Sequence, residues 1–112
     1  MSKHTNVGHQ KTTEFINQLE SLAQGIDGKN VNKIRNGENN EKEYLELLVK
    51  EARELLQYNE WLVALENTID NLCEIDYKLE DEVIQLAVMA LEAANTRSDR
   101  IELIKFLKKI KA

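Results

Sequence analysis

Leu55 to Ala94, LLQYNEWLVALENTIDNLCEIDYKLEDEVIQLAVMALEAA, decides the fold. Apolar residues recur there every three or four positions, which puts them on one face of a helix turning about 100° per residue. Leu62, Leu65, Ile69, Leu72 and Cys73 share one arc with Trp61 at its edge, and Glu60, Glu66, Asn67, Asp70, Asn71 and Glu74 share the opposite arc. A polar turn, Asp76 to Leu79, follows, and a second helix opens with Glu80, Asp81 and Glu82 in its first turn, where the helix dipole favours negative charge. From Val83 to Ala94 only Gln85 and Glu92 are clearly polar, the pattern of a helix covered on most sides, so this helix is expected at the centre of the molecule. The two helices are expected to form the pair around which the rest of the chain is built.

Charge is concentrated in the same stretch. Between Glu60 and Glu82 there are eight acidic residues against one base, Lys78. Val63 breaks the pattern, since it projects within the acidic arc; an apolar residue ringed by charge has the form of a small interface anchor. The plain alternative is one exposed valine, which needs no explanation.

Working outward, the 112 residues suit one domain with one core. Apolar residues make up 42% and charged residues 31%, values of a folded soluble protein. The longest apolar run, Leu86 to Leu91, falls far below the roughly 20 residues of a membrane-spanning helix. The polar start, MSKHTNVGHQKTTEF, has no hydrophobic segment of signal-peptide type, so a cytoplasmic location is expected.

Residues 1–11 show no periodicity and are expected to be a disordered leader, with one helical domain over 12–112. The first helix is expected from Thr12 as N-cap, burying Phe15, Ile16, Leu19, Leu22, Ala23 and Ile26, and ending where Gly25 and Gly28 allow positive φ. Asp27 to Asn40 reads as a loop in which Val31 and Ile34 pin the chain. Asn40 and Glu43 have the form of a capping box for a second helix with Leu45, Leu48, Val49, Ala52, Leu55 and Leu56 inward; its charged side is an ordinary solvated face. Tyr58 and Asn59 are a short break, with Asn59 as N-cap of the third helix. The last helix spans Asp99 to about Ile110, with Ile101, Leu103, Ile104, Leu107 and Ile110 inward and lysines at its end. Without proline or strand-like alternation, the expectation is an all-α, compact bundle of about five helices in a single domain.

Motifs for chemistry are missing from this pattern. The chain has no glycine-rich phosphate loop, zinc-type Cys/His array, HExxH or EF-hand loop. Bundle carboxylate metal sites need Glu-x-x-His pairs, and His4 and His9 both lie in the polar leader. Cys73, the only cysteine, sits among Ile69, Leu72 and Ile75 as a small buried thiol rather than a nucleophile. No enzyme activity, cofactor or metal is expected. A net charge of −5 argues against nucleic acid as the principal partner. The acidic arc can instead pair with Lys and Arg on another protein.

Ala52-x-x-Leu55-Leu56, Asn59-Glu60-Trp61, Ala64-Leu65-Glu66 and Asp70-Asn71-Leu72-Cys73-Glu74 together resemble the small immunity proteins of the MafI type, relatives of the contact-dependent growth inhibition immunity proteins. Their pattern runs A-x-x-LL, then GE, then ALE-x-L, then NL-x-E, and the resemblance covers roughly residues 45–107. Asn59 stands where that pattern usually has Gly, and Cys73 where it has an aromatic. The resemblance implies a helical cytoplasmic protein that binds and neutralises the C-terminal toxin domain of a polymorphic toxin, commonly a nuclease and frequently an RNase. A nuclease carries a basic substrate groove, which agrees with the separate charge argument. The toxin-binding residues expected on this reading are Glu60, Val63, Glu66, Asp70, Glu74 and Asp76. A helical adaptor docking a basic host protein is the alternative, and a DNA binder using the basic last helix a third.

Overall fold

The computed structural model describes residues 7–25, 33–34, 39–94 and 97–112. Its elements are α1 (Val7–Gln24), β1 (Lys33–Ile34), β2 (Asn39–Asn40), α2 (Glu41–Gln57), α3 (Trp61–Glu74), α4 (Asp81–Glu92) and α5 (Arg97–Lys109). Among the described residues the fold is an all-α bundle of five helices. β1 and β2 form only a two-residue antiparallel ladder, Lys33 opposite Asn40 and Ile34 opposite Asn39, within the segment expected as a loop. Ile26, Gly28, Val31 and the side chains of Ile34 and Asn40 lie outside the described residues, and with them the expectations attached to each.

α1 starts at Val7, not at Thr12, so the expected disordered leader is helical over residues 7–11. The reason is tertiary. Gly8 is buried against the indole of Trp61, and Nε2 of His9 lies 3.2 Å from the carbonyl oxygen of Leu56. That carbonyl can only accept, so His9 carries a proton on Nε2. Thr12 is an interior helical residue with no exposure rather than a cap. At the other end of α1, Gly25 does not take up positive φ; its N–H bonds the carbonyls of Ser21 and Leu22, while the Lys42 ammonium donates to the Ala23 carbonyl at 2.8 Å.

The turns after α2 and α3 share one design. Asn59 has φ 60° and Asp76 has φ 53°, the left-handed region. In each turn this residue's N–H bonds a carbonyl three residues back, Leu56 or Cys73, and the next N–H reaches five residues back, from Glu60 to Leu55 and from Tyr77 to Leu72. This paired 6→1 and 5→2 arrangement is the Schellman motif. Asn59 therefore ends α2 rather than capping α3, whose N-cap is Glu60 with no side-chain cap bond. Asparagine, after glycine, is the residue that most readily occupies such a site.

The core joins Phe15, Ile16 and Leu19 of α1 to Leu45 and Leu48 of α2, Leu65, Ile69 and Leu72 of α3, Leu91 of α4 and Leu107 of α5. Each such fully buried side chain contributes about 1.5–3 kcal/mol. α1, not α4, is the central helix: it packs most extensively on α4 and α2 and also touches α3. α4 packs on α1 and α5, has little direct contact with α3, and leaves Met89 44% exposed. The sequence-adjacent pair α3 and α4 is therefore not a packed hairpin. α3 buries its stripe on α2 and α1, α4 buries its stripe on α1, and α5 packs on both α3 and α4. On α5, Leu103 and Leu107 face inward, as does Ile110 just beyond its end, and Ile101 does not, being 47% exposed.

The C-terminus is strapped across the α3–α4 turn. The Leu79 N–H donates to the Ile110 carbonyl and the Ala112 N–H to the Leu79 carbonyl, both at 2.7 Å. Lys78 donates to the Lys109 carbonyl at 2.6 Å, and Lys111 pairs with Asp81 at 3.4 Å. Among the described residues, no helix is long and apolar enough to cross a membrane.

Candidate functional site

α3 turns its buried stripe, Ala64, Leu65, Thr68, Ile69 and Leu72, toward α1 and α2. Ala64 and Thr68 belong to this stripe although the periodicity marks neither, and Thr68 satisfies its buried hydroxyl by donating to the Ala64 carbonyl at 2.8 Å. The burial axis is thus rotated toward small residues, which allow close helix approach. Val63 and Asp70 then lie opposite the stripe at helical spacing, with Glu66 and Glu74 beside them. Val63 is 45% exposed; Asp70 and Glu74 are exposed and Glu66 half-buried.

The six expected binding residues do not make one uniform patch. Val63, Glu66, Asp70 and Glu74 share the outer side of α3. Glu60 is exposed at its N-cap. Asp76 stands apart in the turn, where Lys78 pairs with it at 3.0 Å, and Lys111 pairs with neighbouring Asp81. Lys78 of the turn and Lys111 near the C-terminus thus each offset one acid at the turn end. Both pairs are exposed and so add little stability.

Two grooves flank the outer side of α3. The one shared with α5 is lined by Glu66, Asp70, Glu102, Leu103 and Phe106. The one shared with α2 is lined by Glu51, Glu54, Leu55, Tyr58, Val63 and Asn67. Tyr58, in the turn after α2, is 77% exposed. In sequence Glu51 and Glu54 pass for a solvated face, Leu55 for part of the inward stripe and Tyr58 for a turn; the available signal is an aromatic in a turn next to an apolar residue within a polar arc. Below the groove, Asn71 fixes α3 on α2, accepting from the Tyr44 hydroxyl at 3.0 Å and donating to the Asn67 carbonyl at 2.8 Å.

Cys73 faces α5, where its thiol donates to the Phe106 carbonyl at 3.3 Å. Burial, then the negative charge of Asp70, push its pKa above the ordinary value, more than nearby Lys109 and Lys78 pull it down. This is the opposite of thiol activation. Among the described residues, no group of three or more His, Cys, Asp or Glu side chains could hold a metal ion. The arrangement offers instead a rigid acidic ridge with exposed apolar side chains, suited to a cationic protein surface. No family model matches this chain, and it matches no curated protein and no solved structure.

Proposed function

We propose that this chain is an immunity protein that acts in the cytoplasm, binding and neutralising the basic C-terminal toxin domain, a nuclease such as an RNase, of a contact-dependent growth inhibition or related polymorphic toxin. The observation that supports this reading is the outer side of α3, where Val63 stands exposed among Glu66, Asp70 and Glu74 directly opposite the buried stripe. Negative charge there speeds encounter with a basic groove and rejects acidic surfaces, while affinity comes from a few desolvated anchors. The resemblance described above supplies the kind of partner; the charge and exposure supply the surface.

The test is calorimetry against the toxin domain encoded next to this chain, at two salt concentrations, together with that domain's nuclease activity. Binding that weakens with salt and abolishes activity is expected, because exposed charges are screened beyond a Debye length of about 8 Å at physiological salt. Glu66→Lys with Asp70→Lys should weaken binding strongly. Unchanged affinity in that variant would refute the α3 surface, and no binding by the unaltered protein would remove the toxin as partner and leave an adaptor for a basic host protein.

A further inference from the structure

We infer that the groove between α2 and α3 receives an amphipathic segment of the partner protein, an aliphatic anchor flanked by lysine or arginine; this rests on the proposed reading of the chain as a binder of a basic protein and names the seat. Charge complementarity favours this occupant. The groove carries Glu51 and Glu54 on the α2 side and no basic residue. Neither glutamate forms an ion pair with another described residue. By contrast, the groove between α1 and α2 contains Lys50 and Arg53, and Arg53 is already held by Glu20 at 2.6 Å. That groove also holds Glu20, Glu46 and Glu54, so its charges largely offset one another, whereas in the α2–α3 groove a cationic segment would meet acids and no base.

The apolar part is also supplied. Leu55 forms the half-buried floor, and Tyr58 and Val63 stand exposed on the rim at 77% and 45%. Their backbones are fixed before binding. Tyr58 lies in the Schellman turn closed by the Asn59 and Glu60 N–H bonds, and Val63 lies in the first turn of α3. Rigid presentation lowers the ordering cost of association, and tyrosine is among the residues enriched at binding hot spots. Asn67 adds a side-chain amide at the end of the groove. A second copy of this chain fits less well, because its net charge of −5 would face the same glutamates.

The probe is a synthetic amphipathic helix of leucine and lysine, with oligolysine as the control lacking an anchor. Amide shifts mapped by NMR on the intact chain should concentrate at Leu55, Tyr58, Val63 and Asn67. Tyr58→Ala and Val63→Ser, both at exposed positions, should each weaken the leucine–lysine helix by about tenfold while leaving the weak, salt-sensitive contact with oligolysine unchanged. Shifts centred on Asp70 and Glu102, shifts spread evenly over the acidic residues, absence of binding, or affinity indifferent to both substitutions would each overturn the inference. So would self-association that covers the groove, detected by sedimentation. The toxin-domain experiment is separate: a peptide that seats in the groove while the toxin domain does not bind removes the toxin and keeps the groove, whereas a toxin domain that binds elsewhere keeps the function and removes the groove.

Discussion

Replacing Gly8 by alanine tests the contact that sets where α1 begins. A Cβ at this position would lie 2.6 Å from Cε2 of Trp61 and closer still to Cζ2 and Cη2. Carbon atoms pack at about 3.5–4.0 Å, so the indole or the first turn of α1 must retreat by about 1 Å or more. Overpacking of this kind costs about 1–3 kcal/mol. Alanine recovers part of that through helix propensity, at most about 1 kcal/mol and less here because Gly8 is only the second residue of the helix. The expected net loss is about 1–2 kcal/mol, a fall in Tm of about 4–8 °C for a chain of this size. Urea unfolding followed by circular dichroism measures it. A double-mutant cycle assigns the cause, since Trp61→Phe removes the six-membered indole ring that makes the contact. On that background Gly8→Ala should cost nothing or stabilise, giving a coupling of about 1 kcal/mol or more. An equal cost on both backgrounds, or no loss in the single variant, would refute the claim that Gly8 is there to admit Trp61.

Thr12→Val should stabilise by about 0.5–1.5 kcal/mol in the same unfolding assay, because the Thr12 hydroxyl is fully buried and finds no hydrogen-bond partner among the described residues. Asp76→Gly should be neutral to stabilising by about 1 kcal/mol, whereas Asp76→Val should destabilise, since φ 53° suits glycine and strains a β-branched residue; equal thermal midpoints for the two variants would contradict the backbone argument. Cys73 should react slowly with iodoacetamide at neutral pH, and its rate should rise with a midpoint above the ordinary thiol value, as burial and Asp70 dictate. The unfolded chain ionises this thiol first, so its contribution to stability falls as pH rises from the unfolded pKa through the higher folded one. A reaction midpoint below the free-thiol range would overturn this.

Helix number and class are legible in the sequence because both rest on local rules. The stripes Phe15-Ile16-Leu19, Leu45-Leu48-Ala52 and Leu103-Leu107-Ile110 need only the 3.6-residue period to be recognised, and all are buried. The outer position of Val63, Asp70 and Glu74 follows from the same period. Other features depend on what lies across the interface. Gly8 and His9 read as a polar leader until Trp61 and the Leu56 carbonyl are placed beside them. Asn59 has the composition of a cap, and only the backbone bonds to Leu55 and Leu56 show which helix it ends.

The candidate site divides along the same line. Sequence alone determined that α3 carries an acidic side and that one valine stands within it, since both are properties of a single helix. Tertiary structure decided that α3 and α4 are not partners, that Lys111 lies beside Asp81 at the start of α4, and that Tyr58, Glu51 and Glu54 join Val63 in one groove. Periodicity fixes which face of a helix is apolar, but not which neighbour covers it. That choice belongs to packing between residues far apart in the chain, here chiefly to the position of α1 at the centre of the bundle.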